Sequence, residues 1–151
     1  MDYISASIEF NHMVSETSSD IETQKSKEKC QTLLNLSSKI RYVGIINNFG
    51  RTIAGQLRKG TVPLFKVAEA RNEFFIEATR NRMRRDFEYS IGKTEFSITI
   101  NGKVIILVIP DDTARYLYYF TFDRNTSVEE IIHVKETARS SIITQKHENL
   151  E

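Results

Sequence analysis

Cysteine is nearly absent from this sequence. Cys30 stands alone, so no intrachain disulfide can form. A single thiol fits a reducing compartment, and cytoplasmic localisation is the expectation. Tryptophan is missing, and proline occurs only at Pro63 and Pro110. No apolar run approaches the roughly 18–20 residues that a membrane-spanning helix needs, so no membrane span is expected. The opening MDYISASIEF lacks the basic start and apolar stretch of a secretory signal.

What is present suits a globular domain. The chain has 151 residues, 40% of them hydrophobic and 27% charged. That length supports one domain with a real core. Net charge is only +1, but it is unevenly spread. Residues 39–93 carry twelve Lys/Arg against five Asp/Glu, and acid predominates on either side. Salt bridging within the fold is the default account of such a basic middle.

The pattern along the chain predicts eight elements. Residues 1–19 are polar and Ser-rich, and read as a mobile tail with a brief strand at Ile4–Phe10. Asp20 could cap a helix running to about Lys39, with Cys30, Leu33, Leu34 and Ser37 at helical spacing. The stretch "VGIINNFGRTIAG", 43–55, reads as a hairpin, with Asn47, Asn48 and Gly50 supplying its turn. A long helix is expected from about Leu64 to Ile91. Phe75, Thr79, Met83, Phe87 and Ile91 recur in it at i+4, and Gly92 stands at its C-cap. At about 1.5 Å per residue it would reach roughly 40 Å, long enough that a kink is expected.

"TEFSITINGKVIILVIP" holds Asn101-Gly102 between apolar runs, the signal of a type I′ hairpin. Val104–Ile109 is apolar throughout, as in a strand buried on both faces. "RYLYYFTF", 115–122, is a fifth strand with Tyr116, Tyr118, Phe120 and Phe122 on one face. Ser127 and Glu130 form a capping box before a last helix that buries Val128, Ile131, Ile132, Val134 and Ala138. The order α-β-β-α-β-β-β-α predicts a single α+β domain over 20–143. Its sheet is five-stranded and mostly antiparallel, with flanking helices, and a C-terminal tail follows at 144–151.

That order, with the early hairpin "YVGIINNFGRTIAG", resembles the Roadblock/LC7 family within the longin- and profilin-like group. The resemblance covers roughly residues 22–142. The block "GRTIAGQLRKG…PLF…EARNEFFIEA" is also similar to a small protein group of ammonia-oxidising archaea, which implies no activity. The Roadblock resemblance implies a non-enzymatic scaffold. Such domains usually dimerise through the second helix and third strand, here 64–91 and 94–100, and many bind or regulate small GTPases. The longer second helix departs from the family pattern. A PAS- or GAF-like small-molecule sensor is the neighbouring alternative, because it too combines five strands with helices.

Candidate chemistry is sparse. Gly55-Gln56-Leu57-Arg58-Lys59-Gly60 has the glycine spacing of a phosphate-binding loop. However, Thr61-Val62 follow where Lys and Ser/Thr belong, so an ordinary loop is favoured. In "RNRMRRDFE", 80–88, the arginines wrap around the helix, with Asp86 and Glu88 four residues after Arg82 and Arg84. A self-paired, solvated face is therefore favoured over protein contact, and protein contact over nucleic acid. His12, His133 and His147 stand at no metal-ligand spacing, and Cys30 reads as a buried thiol. Asp111 and Asp112 beside Pro110 read as a turn. The row from Tyr116 to Phe122 reads as core in preference to a base-stacking surface. Neither enzyme chemistry nor a cofactor is expected.

The remaining candidates are surfaces. A homodimer is expected through Phe74, Phe75, Met83, Phe87, Phe96 and Ile98, because the long helix has more apolar surface than one sheet face covers. A partner surface is expected at Arg58, Lys59, Arg71, Arg80, Arg84 and Arg85. It would suit an acidic protein such as a small GTPase, because arginine favours bidentate carboxylate contacts.

Overall fold

Asn47 organises the first hairpin. In the structure, a computed structural model describing residues 18–140, its Oδ1 accepts hydrogen bonds from the N–H of Phe49 and Arg51 at 2.9 and 3.0 Å. Gly50 turns the chain at φ +84°. The loop joins β1, Ile40–Asn47, to β2, Thr52–Leu57. The expected strand at Ile4–Phe10, most of the N-terminal tail and the C-terminal tail lie outside the described residues.

The first helix, α1, covers Ser18–Leu34. It stops short of the expected Lys39, and Arg58 accounts for its end. The Arg58 guanidinium donates to the carbonyls of Leu34, Ser37 and Ile40 at 2.6, 2.7 and 2.7 Å. Carbonyls orphaned at the helix C-terminus are thus satisfied by a cation.

The long second helix is two. α2 runs Val67–Arg85 and α3 is a short turn, Glu88–Ile91. Lys66 caps α2, its N–H donating to the Glu69 carboxylate at 3.0 Å. At the other end Asp86 and Phe87 donate to the carbonyls of Met83 and Arg84, three residues back. Those tighter bonds close the last turn and break the helix, for which a kink at no stated position was expected. Gly92 follows α3 at φ +84°.

Then come β3, Ser97–Ile100, β4, Val104–Pro110, β5, Tyr116–Asp123, and α4, Val128–Ala138. The β3–β4 hairpin forms, with Ile100 opposite Ile105. It is not type I′, since no residue of its turn adopts positive φ. Ser127 Oγ accepts the N–H of Glu130 at 3.2 Å, one arm of the capping box. The other arm is absent, because the Glu130 carboxylate turns to Ser37 and Lys39, each at 3.2 Å.

The five strands form one sheet, ordered β2-β1-β5-β4-β3, with every neighbouring pair antiparallel. The fold is α+β, as the element order predicts. β1 and β5 pair from Ile40–Phe122 to Asn47–Tyr116 and join the first hairpin to the later meander.

Both faces of the sheet are core. Val43, Ile45, Leu107, Tyr118, Phe120 and Phe122 face α1 and α4, meeting Leu33, Cys30 and Ile131. Tyr42, Ile46, Ile106, Leu117 and Tyr119 face α2, meeting Ala70, Phe74 and Ala78. The aromatic row of β5 is core, as expected, but so is the row between, which the single-face reading missed. Val128 is exposed rather than buried, because the buried side of α4 is Ile131, Val134 and Ala138.

Candidate interaction surface

One side of α2 meets the sheet. Phe74 stacks on Tyr42 at 6.3 Å and packs edge-on to Tyr119 at 5.0 Å. It is 3% exposed, so its expected place in a dimer interface is corrected: it is spent on the core. Tyr119 donates to the Glu73 carboxylate at 3.0 Å. Burial and then the Glu73 charge push the Tyr119 phenol well up.

A second side is clamped by the first hairpin. Gly50 lies against the backbone of Phe74 and Phe75, where a Cβ would come within 2.7 Å of Phe75 Cα. Arg82 donates to the Asn48 carbonyl and to Thr79 Oγ1, and stacks 5.5 Å from the Phe49 ring centre. Arg85 donates to Asn48 Oδ1 at 3.1 Å and to the carbonyl of Ala114. The expected Arg82–Asp86 and Arg84–Glu88 pairs do not form among the described residues. The hairpin offers Arg82 fixed acceptors, and the helix break at Asp86 takes Glu88 out of register with Arg84.

The outer side carries the i+4 row. Phe75, Met83 and Phe87 are 56%, 63% and 53% exposed, and Ile76 is exposed beside them. Each large apolar group on its own is ordinary, but four exposed on one helix and just past its end are more than scattered exposure. β3 is one of the sheet's two edge strands, β2 being the other. Ile98 does not share the α2 side, as the dimer expectation supposed, and Phe96 reaches it only at the border of a cavity that α2 also lines. They are half-buried against the core under α4, and the Lys135 ammonium sits 4.5 Å over the Phe96 ring. Side-chain alternation sends them there.

The fourth side faces β3 across a polar cavity of about 170 Å³. Glu77, Arg80, Asn81 and Arg84 line it from α2, and Thr94, Phe96, Ser97, Val108 and Pro110 from the sheet side. Glu77 is 8% exposed. Its carboxyl is held above the ordinary carboxylate range, by burial first and then by Glu73, with Arg80 opposing. Sequence reasoning passed over Glu77, although it stands i+3 from Phe74 and i+7 from Ala70, on the buried stripe.

The six expected partner residues do not form one surface. Arg58 caps α1 and Arg85 holds the hairpin, so both belong to the interior scaffold. Arg71 and Lys59 are exposed, and only Arg80 and Arg84 line a common cavity. Gly55, suspected of a phosphate loop, lies inside β2 opposite Gly44, and the Tyr42 ring covers both. Burial pushes the Cys30 thiol up to about 12, against a backbone hydrogen bond from Ile45 and the Lys29 charge. Such a thiol is inert. Among the described residues no cluster of His, Cys, Asp and Glu could hold a metal, and no helix is long and apolar enough to cross a membrane.

Solved structures with this architecture decide the fold. MglB of Myxococcus xanthus superimposes with a TM-score of 0.66 over 92% of this chain and 96% of its own, at 16% identity. Its fold is that of the Roadblock/LC7 proteins. The Roadblock/LC7 domain from Streptomyces avermitilis matches with a TM-score of 0.54 at 8% identity, over 78% of this chain and 98% of that one. MglB in a tetrameric arrangement matches at 0.65 and 12% identity, over 86% and 91%. No family model and no curated protein sequence matches the chain.

Proposed function

We propose that this protein is a non-enzymatic regulatory interaction domain. It pairs with a second copy through the outer row of α2 and the edge of β3, and it binds an acidic protein, a small GTPase being the first candidate. The observation that carries this reading is the exposed group of Phe75, Ile76 and Met83 on α2 with Phe87 just past its end. Burial of about 25 cal/mol per Å² of such surface is a sufficient drive for association. An unpaired edge strand beside it adds backbone donors and acceptors. The Roadblock/LC7 fold supports the same reading, since the family resemblance implies both dimerisation and GTPase partners.

Two other readings lose their basis. A central sensor pocket is not favoured, because the apolar cavity between the sheet and the Val62–Phe65 segment before α2 is only about 30 Å³. Nucleic acid is not favoured either. Arg58, Arg82 and Arg85 turn to protein carbonyls, and no continuous phosphate-binding stripe remains.

Light scattering tests the pairing. A dimer is expected, and the double variant Met83→Glu/Phe87→Glu should be monomeric with an unchanged circular dichroism spectrum. A monomeric parent protein at high micromolar concentration contradicts the reading. Capture of partners from native extract, washed at about 50 and 200 mM salt, separates a protein interface from phosphate binding, which weakens steeply over that range.

A further inference from the structure

An asparagine followed by glycine carries chemistry of its own. The backbone nitrogen of the next residue can attack the side-chain carbonyl carbon, and glycine, having no Cβ, obstructs that approach least. Asn101-Gly102 is the one such pair in the sequence. The fold leaves it open. Both residues are exposed, and a Cβ on Gly102 would meet nothing within 4 Å. Among the described residues neither the Gly102 N–H nor the Asn101 side-chain amide makes a hydrogen bond. The first hairpin is the contrast. Asn47 Oδ1 accepts from the N–H of Phe49 and Arg51, and Asn48 Oδ1 accepts from Arg85. Those amides are held in place, and neither precedes a glycine.

Position gives this chemistry a consequence. β3 has four residues and is held in the sheet by pairing with β4 alone. At the turn the Asn101 N–H donates to the Val104 carbonyl at 2.9 Å and fastens the end of that pairing. A change at Asn101 acts directly on this bond.

We propose that Asn101 is a site of spontaneous, one-way modification that unfastens β3 from the sheet. The Gly102 nitrogen bonds to Asn101 Cγ, and its proton leaves with the side-chain amide nitrogen as ammonia. The product is a five-membered imide. Water then opens the ring. Attack at Cγ gives aspartate, and attack at the former backbone carbonyl gives isoaspartate. Water is the only other reactant, and nothing is oxidised or reduced. Isoaspartate routes the main chain through the former side chain, which lengthens it by one methylene beside the bond to Val104. Both products set a carboxylate where a neutral amide stood. If β3 serves pairing, the loosened edge weakens the pair. That last consequence rests on the pairing reading above, whereas the modification itself does not.

The test incubates the full chain in mildly alkaline buffer made with heavy-oxygen water and maps its peptides by mass spectrometry. Loss of ammonia and uptake of a single heavy oxygen are expected at Asn101, at least about tenfold faster than at Asn47 or Asn48, whose hydrogen bonds must break first. Isoaspartate is expected beside aspartate, and chromatography separates the two peptides. In the isoaspartate fraction the amides of residues 97–101 should exchange hydrogen at least about tenfold faster than in the parent, while those of β1 and β5 stay as they were. Asn101→Gln, whose longer side chain closes the corresponding ring far less readily, should keep its mass and its β3 exchange over the same period. Persistence of Asn101 while the urea-unfolded chain is converted overturns the proposal. Unchanged β3 exchange in the isoaspartate fraction overturns it too. Light scattering of parent and modified fractions reads the pairing separately. A monomeric parent removes the pairing reading alone, and the peptide maps and exchange rates still decide the modification.

Discussion

Arg85 Nη2 lies 3.1 Å from Asn48 Oδ1 and donates to it across 37 residues of sequence. The same guanidinium reaches the carbonyl of Ala114, a residue held at φ 59°. The end of α2 is thereby tied to both the first hairpin and the β4–β5 turn. Arg85→Ala should lower unfolding stability by about 1.5–3 kcal/mol, the usual range for charged hydrogen bonds at partly buried sites. Denaturant titration measures this. A loss below about 0.5 kcal/mol would mean that the clamp is incidental.

Gly50 and Gly60 share φ +84° but not surroundings. Gly60 has nothing within 4 Å of a would-be Cβ, whereas Gly50 meets the Phe75 backbone. Gly60→Ala should therefore lose only about 1–2 kcal/mol for the left-handed conformation. Gly50→Ala should lose distinctly more, because backbone must also move. Equal losses in parallel melts would contradict the packing of the hairpin on α2.

Phe74 and Phe75 are neighbours with opposite fates. Phe74→Ala should destabilise the protein by about 3–5 kcal/mol, as expected for an aromatic removed from a core. Phe75→Ala should change the stability of the isolated protomer by no more than about 0.5 kcal/mol. The comparison is made at low protein concentration, where association contributes little. A reversed ranking would invert the side of α2 that faces the sheet.

Glu77 gives a pH signature. Its carboxyl is raised in the fold, so the folded state holds the proton more tightly than the unfolded chain. Its contribution to stability is then greatest below the ordinary glutamate value and is lost as pH rises through the raised one. The charged neighbours acting on it are Glu73 and Arg80. Glu77→Gln should stabilise the protein at neutral pH and flatten the stability profile over that window. A variant less stable than the parent at pH 7 would show that the carboxylate has a compensating partner.

The fold was legible because several signals agreed locally. Asn47, Asn48 and Gly50 marked one turn, and the all-apolar run Val104–Ile109 marked a strand with no solvent face. Helix ends were less legible. α1 stops where Arg58, distant in sequence, meets its carbonyls, and α2 stops where the backbone tightens at Asp86. The surface was least legible, since periodicity finds an apolar row without saying whether it faces inward. Phe75, Met83 and Phe87 repeat as cleanly as Ala70, Phe74 and Ala78, and only the sheet's position separates them. Arginine is ambiguous in the same way. Nothing local distinguishes Arg85, bound to Asn48, from Arg84, which borders the cavity and lies 5.8 Å over the Phe87 ring centre.

The β1–β5 seam has a kinetic consequence. Arg41 on β1 and Asp123 at the end of β5 meet at 3.3 Å, although 82 residues separate them. The first hairpin and the β3–β5 meander can each form from nearby residues, but each alone exposes an apolar strand flank. Zipping the two halves requires closing that long loop, and its entropy is lost before any seam contact is made. The central strands of the sheet are therefore the last to be joined, and until then the exposed flanks of β1 and β5 are where a newly made chain is most open to pairing with another copy of itself.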